Sequence, residues 1–212
     1  MQLLDAALPN DLQKAIRDIN PSYWLKRACS RYRRNSSINM GLGTQRNISR
    51  KRKFMYGRYS KILPELQTQL LAYIRTVAPN IQFTSIIINK FEVGDRMGEH
   101  VDGSMLPWHF CARFGQAVGA ELCIGDDRYA NGVFLTNTNH PHQVSKCVAG
   151  TRFSIVTYIR LDSVVLVDSP TLNQLFVWGY PVQYLALLHL LLAQILQACL
   201  QNVSYKSLGY SV

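Results

Sequence analysis

Several familiar catalytic and structural motifs are missing from this sequence. It contains no P-loop, no Rossmann glycine motif and no Ser-His-Asp arrangement, so those enzyme classes have no site here. Its five cysteines are odd in number and include no Cys-x-x-Cys pair, which argues against a disulfide framework. Residues 1–9 lack the basic start and long apolar core of a secretory signal. We therefore expect an intracellular protein whose cysteines are buried as small apolar side chains.

Acidic residues are scarce in the first part of the chain. Residues 1–60 contain 13 Lys and Arg but only 3 Asp and Glu, whereas residues 61–212 contain 10 of each kind. The formal net charge of +10 therefore arises entirely before residue 61. Basic and aromatic residues alternate over residues 24–58, a composition that favours binding to DNA phosphates and exposed bases. The run at residues 50–53 is also typical of a nuclear-targeting signal or a solvated face.

Hydrophobic periodicity predicts a β-rich centre with flanking helices. The chain of 212 residues, 48% of them hydrophobic, is long enough to bury a core. Residues 3–19 and 63–77 have the spacing of amphipathic helices. Six short strands separated by turn residues are predicted at 83–91, 110–114, 120–124, 133–135, 142–147 and 152–159. This pattern is typical of an all-β sandwich or jelly roll.

The sequence suggests three regions. We expect a basic N-terminal extension at residues 1–60, a core at 61–160 and a C-terminal extension at 161–212. Residues 184–200 are almost wholly apolar, but His189 and two glutamines would make a membrane span costly. A buried or partner-binding helix is the expected structure there, and the oligomeric state stays open.

A possible metal site is indicated by His100 and Asp102. Residues two apart in an extended segment point to the same side, so both side chains can face one ion. His142 and His140 are candidates for the third ligand. We expect His142, because it opens a predicted strand, whereas His140 precedes Pro141 in a turn. Two histidines and one carboxylate with open positions suit Fe(II), while zinc usually prefers a closed tetrahedral set.

Arg152 follows His142 by ten residues, beyond a predicted turn at Gly150. Its guanidinium can bind the distal carboxylate of an organic acid held at the same iron, because the two groups match bidentately. Ser154 points to the same side of the strand and can add a hydrogen bond. The alternative is a surface arginine on an edge strand.

These segments together resemble the 2-oxoglutarate- and Fe(II)-dependent dioxygenases. They are His-Val-Asp at 100–102, His-Gln-Val at 142–144 and Gly-Thr-Arg-Phe-Ser at 150–154. The resemblance covers residues 80–160. It implies a double-stranded β-helix (a cupin-like jelly roll), with Fe(II), 2-oxoglutarate and O2 as cofactor and co-substrates. It also implies the succinate-forming hydroxylation of a C–H bond.

Two further segments bear on the branch of this superfamily. Asn89 opens a segment similar to the Asn-x-Tyr-x-x-Gly element of AlkB-type demethylases, which implies a role for Asn89 in co-substrate binding. Phe91 replaces the tyrosine, so its hydroxyl is missing. Residues 119–122 are similar to a Gly-Gly-x-Leu strand of the TET/JBP nucleobase oxygenases, although Ala120 departs from it.

The TET/JBP resemblance implies hydroxylation of a nucleobase methyl group in DNA. Three alternatives remain open: an AlkB-like nucleic-acid demethylase, a prolyl-type protein hydroxylase and a non-catalytic nucleic-acid-binding protein. The complete set of three ligands argues against the last of them.

Overall fold

Two antiparallel β-sheets and three helices make up the described part of the protein. The computed structural model describes residues 1–26, 33–46, 52–56, 58–81, 83, 85–102 and 108–158. The helices are α1 (Asn10–Arg17), α2 (Arg58–Ile62) and α3 (Pro64–Val77), and a short 3-10 turn covers Pro21–Tyr23. The strands are β1 (Gln2–Leu3), β2 (Leu25–Lys26), β3 (Arg33–Arg34), β4 (Ser36–Arg46), β5 (Arg52–Tyr56), β6 (Ser85–Phe91), β7 (Arg96–His100), β8 (Trp108–Val118), β9 (Leu122–Ile124), β10 (Asp127–Tyr129), β11 (Gly132–Asn137), β12 (His142–Val144) and β13 (Ala149–Tyr158).

The chain crosses repeatedly between the two sheets. The major sheet has the order β1-β11-β8-β13-β6-β4-β2, with β5 paired to β4, and the minor sheet has the order β10-β9-β12-β7-β3. From β6 to β9 successive strands alternate between the major and the minor sheet, and the alternation resumes from β11 to β13. This topology confirms the predicted jelly roll, and each of the six predicted strands overlaps a strand of the structure.

One hydrophobic core cluster lies between the sheets. Its buried side chains come from strands of both sheets and from two connecting loops: Phe91, Met97, Cys111, Ala120, Leu122, Phe134, Val144 and Cys147. The major sheet is also covered on its other face, where Tyr73 of α3 meets Phe110 of β8 at a ring-centroid distance of 6.1 Å. Because β6 is buried on both faces, its apolar residues run consecutively instead of alternating.

The first predicted helix is shorter than expected. It was predicted to begin at Leu3, but α1 begins at Asn10, directly after Pro9. A proline disfavours helical backbone in the residue before it, which here is Leu8. Leu3 instead extends the major sheet, paired with Phe134 of β11.

Part of the basic N-terminal region belongs to the major sheet. Residues Ser36 to Gly41 of β4 pair with β6, and Ile38 lies opposite Ile88. Ile38 and Met40 are fully buried, so the alternation of one short strand was hidden among basic residues. The expected boundary at residue 60 falls inside α2. The C-terminal region at 161–212 lies outside the described residues.

Two other expectations concern cysteines and membranes. Cys111, Cys123 and Cys147 are free and buried, which confirms the expected packing role for the three described cysteines. No helix in the described part of the chain is long and apolar enough to cross a membrane. The apolar segment at 184–200 is not within that part.

Substitution of Gly150 tests the close pairing of β13 with β8. Its φ is +74°, and a Cβ there would lie 2.0 Å from the carbonyl oxygen of Gln116. We expect Gly150→Ala to lower the free energy of unfolding by about 2–4 kcal/mol, because backbone strain adds to a clash with a main-chain atom. The measurement is urea denaturation.

Gly125→Ala is the matched control. Gly125 also has a positive φ, of +58°, but nothing lies within 4 Å of its added Cβ. We expect a loss of only about 1 kcal/mol there, from the left-handed backbone alone. Equal losses in the two variants would contradict the close β13–β8 contact.

Candidate metal centre and its cavity

Strand pairing brings the two candidate histidines together. His100 ends β7, His142 begins β12, and the two residues are direct partners in the antiparallel ladder. Their ring centroids are 4.3 Å apart. Asp102 follows two residues after His100, and its backbone N–H donates to the carbonyl of Thr138 at 3.0 Å. Val101 between them is 53% exposed, so it points away from the pair as predicted.

His100, Asp102 and His142 offer three ligand atoms to one point in space. These atoms all lie within 4.8 Å of one another. Nε2 of His100 is 3.5 Å from Oδ1 of Asp102, and Nε2 of His142 is 3.7 Å from Oδ2. Such separations are too long for good hydrogen bonds. They suit three donors arranged around a shared cation.

The hydrogen bond made by Nδ1 of each ring fixes the tautomer of that histidine. Nδ1 of His100 lies 2.9 Å from the carbonyl oxygen of Gly98, and Nδ1 of His142 lies 2.9 Å from that of His140. A carbonyl can only accept, so both Nδ1 atoms carry the hydrogen. In the neutral ring, Nε2 then keeps its lone pair and faces Asp102. This is the second-sphere arrangement that orients histidine ligands of metals.

The carboxylate of Asp102 supports the same interpretation. Its Oδ2 is buried and accepts no hydrogen bond from the described residues. A buried carboxylate oxygen without a partner is costly, and a bound cation would remove that cost. The donor set therefore fits a divalent metal ion with two neutral nitrogen ligands and one anionic oxygen ligand.

A cavity between the two sheets contains the triad. Asn89 of β6 and Ser154 of β13 line it together with the three candidate ligands. Asn89 donates through Nδ2 to Oγ of Ser154 at 3.3 Å, and its own Oδ1 accepts from Nδ2 of Asn35 at 2.9 Å. The structure thus brings together every predicted site residue except Arg152. His140 lies exposed in a turn, and its carbonyl oxygen is 2.9 Å from Nδ1 of His142.

Arg152 is buried but does not line this cavity. It is 3% exposed and lies on β13, between β8 and β6, so the alternative of a surface arginine on an edge strand is wrong. Nη1 donates to Oδ1 of Asn131 at 3.0 Å, and Nη2 donates to the carbonyl of Ala117 at 2.7 Å. Burial lowers the pKa of Arg152.

A second buried arginine, Arg113 of β8, escaped the sequence analysis. It is 4% exposed and lines the cavity that contains the triad. Burial lowers the pKa of Arg113 to about 10, and the neighbouring charge of Arg152 contributes in the same direction. A signal was present in the sequence, because Arg113 is the one charged residue of the apolar strand predicted at 110–114. It shares a strand face with Cys111, which lines the same cavity.

His142→Ala tests the metal centre. We expect it to abolish binding of Fe(II) or Mn(II), because two remaining ligands hold a divalent ion far more weakly than three. Anaerobic isothermal titration with each metal measures this binding. His140→Ala is the matched control, since its carbonyl still accepts from His142 and wild-type affinity is expected. Retained affinity in His142→Ala, together with loss in His140→Ala, would reverse the ligand assignment.

Comparison with known proteins gives matches only at the level of solved structures. No protein-family model matches the chain, and no curated protein does. A structure titled "NgTET1 in complex with 5mC DNA" matches with a TM-score of 0.54 and 14% identity, over 74% of this chain and 70% of that one.

Two further structures match with lower TM-scores. OsALKBH1 has a TM-score of 0.47 and 12% identity, over 74% of this chain and 96% of that one. An oxidoreductase of the 2OG-Fe(II) oxygenase family from Burkholderia pseudomallei has a TM-score of 0.45 and 14% identity, over 68% of this chain and 77% of that one. The chain has the jelly-roll fold of the 2-oxoglutarate- and Fe(II)-dependent oxygenases, which confirms at the level of fold the resemblance that its three motifs predicted.

Proposed function

We propose that this protein is an Fe(II)- and 2-oxoglutarate-dependent dioxygenase that hydroxylates a nucleobase methyl group in DNA. The observation that carries the proposal is the convergence of His100, Asp102 and His142 inside an oxygenase fold. In the overall reaction a methyl group, O2 and 2-oxoglutarate become a hydroxymethyl group, succinate and CO2.

In this proposal three side chains hold the iron and leave its other positions open. His100 and His142 contribute neutral nitrogen donors, and Asp102 contributes one negative charge. Bound Fe(II) supplies the coupling of O2 activation to the oxidative decarboxylation of 2-oxoglutarate. The carbonyls of Gly98 and His140 keep both rings turned toward Asp102. The protein therefore presents its ligands already oriented, which lowers the cost of assembling the site.

The co-substrate is proposed to lie in the cavity beside the triad. Asn89 and Ser154 line that cavity and are hydrogen-bonded to each other, so they present a polar wall to a bound organic acid. Arg152 adds positive charge at the same end of β13, two residues from Ser154. A doubly charged acid is favoured by such surroundings, because its carboxylates meet cations and hydrogen-bond donors.

The position of the basic residues supports a nucleic-acid substrate. The strand β3 pairs with β7, placing Arg33 opposite Met97 and Arg34 opposite Arg96. Arg33 and Arg34 therefore occupy the strand next to β7, and β7 ends at the candidate ligand His100. A polyanion bound along this edge would pass close to the metal centre. The structural likeness to NgTET1, solved with 5mC DNA, supports DNA as that polyanion.

Three aromatics of the basic region have described side chains, Tyr23, Trp24 and Tyr59, and all three make contacts within the protein. Tyr59 is buried, and its hydroxyl donates to the carbonyl of Tyr23 at 2.7 Å. Trp24 lies against Phe153, with ring centroids 5.9 Å apart. Because these side chains pack against other residues, the proposed contact with DNA rests on charge and not on base stacking by them.

Succinate release is the direct test of the reaction. Protein loaded with Fe(II) is supplied with 2-oxoglutarate and O2, together with a pool of methylated DNA, of RNA or of peptides. We expect succinate in stoichiometric amounts with a hydroxymethyl base from the DNA pool. Asp102→Ala is the matched control and should give neither product, because the site loses its anionic ligand.

The other pools separate the alternatives. Formaldehyde with a demethylated base would support an AlkB-like demethylase, and hydroxylated peptide would support a prolyl-type hydroxylase. No succinate from any pool, with DNA still bound, would leave the non-catalytic nucleic-acid-binding protein.

The basic run at residues 50–53, whose side chains lie outside the described part of the protein, is proposed to bind the DNA backbone. Replacing Arg50, Lys51, Arg52 and Lys53 with Ala should lower affinity alike for all DNA sequences, because phosphate groups carry no base information. The slope of log K against log salt should fall by about one for each phosphate that the variant no longer neutralises. Fluorescence anisotropy over a salt series measures both quantities.

Lys14→Ala is the control for that series. Lys14 is an exposed lysine on α1 that pairs with Asp18, so its removal should leave DNA affinity unchanged. If the quadruple variant kept the wild-type affinity and salt slope, the run would be a nuclear-targeting signal or a solvated face instead.

A further inference from the structure

We propose that a groove on the outer face of the minor sheet binds one backbone phosphate of the DNA that is the proposed substrate. This inference rests on the proposed function, because it names the surface that would hold the DNA strand beside the candidate metal centre. The groove, called the bulge groove below, has a volume of about 440 Å³. Its lining comes from β7, β12 and the two residues after β12: Arg96, Met97, Gly98, Gln143, Val144, Ser145 and Lys146.

The groove and the candidate metal centre lie on opposite faces of the same two strands. Met97 and Val144 belong to the core cluster between the sheets. Since neighbouring residues of a strand point to opposite faces, Arg96 and Gln143 point away from that core. The bulge groove is therefore separate from the cavity that contains the triad.

A β-bulge shapes the groove. The register of β7 and β12 leaves Gln143 alone opposite both Gly98 and Glu99. Bulges re-aim neighbouring side chains and are common beside active sites. Here Met97 and His100 both line the interior although they are three residues apart. The extra residue also leaves the main chain of Gly98 in the groove wall, with no side chain to fill the space.

Arg96 and Lys146 give the groove its charge. Both are exposed, and among the described residues no carboxylate lies within 4 Å of either side chain. No lining residue is acidic. The amide of Gln143 and the hydroxyl of Ser145 add neutral hydrogen-bond donors. Two cations with neutral donors between them complement an anion that carries several oxygens, such as a phosphate.

The neighbouring strand strengthens the case for an anion. β3 pairs with β7 on the side away from β12, and Arg34 is the register partner of Arg96. Two arginines at directly opposed positions destabilise an antiparallel ladder, because like charges repel. A bound anion replaces this repulsion with attraction to both charges. The pairing is therefore unfavourable in the free protein and favourable in a complex with a polyanion.

The location of the groove favours a backbone phosphate over a free anion. Gly98 lies two residues before His100, which is roughly 7 Å along a strand at about 3.3 Å per residue. Gln143 directly follows His142 on the other strand. A nucleotide whose base reaches the metal centre brings its own phosphate, or an adjacent one, within a similar distance. A phosphate held in the groove would fix the position of the strand without reading its sequence.

Fluorescence anisotropy with a methylated DNA duplex over a salt series tests the groove. Full-length protein loaded with Mn(II), without O2, is compared with Arg96→Ala and with Lys146→Ala. Each variant should bind DNA roughly three- to tenfold more weakly, and its slope of log K against log salt should be smaller by about one. The affinity for Mn(II) should stay at the wild-type value, because neither residue lines the cavity of the triad.

Arg17→Ala is the matched control. Arg17 is an exposed arginine of α1 whose guanidinium lies over the ring of Phe114, on the major sheet. Its removal changes the net charge by the same amount, so it separates a local phosphate site from the general effect of charge. We expect the wild-type salt slope from Arg17→Ala and from Arg96→Lys, which keeps the cation. Equal losses in Arg17→Ala and Arg96→Ala would overturn the proposal.

A neutral backbone analogue locates the contact on the DNA. Duplexes carry a single methylphosphonate, placed in turn at each position around one methylated base. At a position beside that base the analogue should weaken binding to wild type but not to Arg96→Ala, because the same contact cannot be lost twice. If the analogue weakens binding to both proteins equally at every position, Arg96 contacts no particular phosphate and the proposal is wrong.

The remaining outcomes separate this inference from the proposed function. Wild-type protein that binds no DNA contradicts DNA as the substrate, and the inference falls with it. Wild-type DNA affinity and salt slope in both alanine variants overturn the groove but leave the metal centre and its substrate in place. Inorganic phosphate that binds wild type but not Arg96→Ala, while DNA binds both equally, would make the groove a site for a free anion and overturn its assignment to DNA.

Discussion

The antiparallel pairing of β7 with β12 is the constraint on which the candidate site depends. It sets His100 directly opposite His142, and the two rings then meet on the face that looks into the space between the sheets. A slip of one residue would turn one ring to the other face of the sheet. The register shifts immediately after His142, before Val144 meets Met97. Gly98 lies two residues before His100 on β7, and its carbonyl fixes the orientation of the His100 ring.

Around this pair the protein buries more charge than stability alone would favour. Asp102, Arg113 and Arg152 are all nearly inaccessible to solvent, in a core otherwise built from apolar side chains of both sheets. Each buried charge costs free energy unless a partner neutralises it. The unpaired oxygen of Asp102 faces the histidines, and the guanidinium of Arg113 lies along the same cavity. A bound cation would neutralise the carboxylate of Asp102, so metal binding is expected to stabilise the fold.

Local patterns in the sequence predicted the triad because its geometry is largely local. Residues two apart on an extended chain share a side, and a histidine that opens a strand is well placed to meet them. The same reasoning missed Arg113, whose significance depends on a cavity formed by strands distant in sequence. It also assigned β4 to an extension, because the basic residues around Ile38 masked a short alternating strand. Arg152 was predicted to bind the distal carboxylate of the co-substrate, and that role stays a prediction; its side chain donates to Asn131.

The central claim is that one metal ion and one dicarboxylate share the cavity between the sheets. Crystallography of the protein with Mn(II) and 2-oxoglutarate, using anomalous scattering at the manganese edge, tests it most directly. The account predicts one anomalous peak bonded to Nε2 of His100, Nε2 of His142 and a carboxylate oxygen of Asp102. It also predicts the acid in the cavity that Asn89 and Ser154 line. An anomalous peak that lies elsewhere, with no acid between the two sheets, would contradict it.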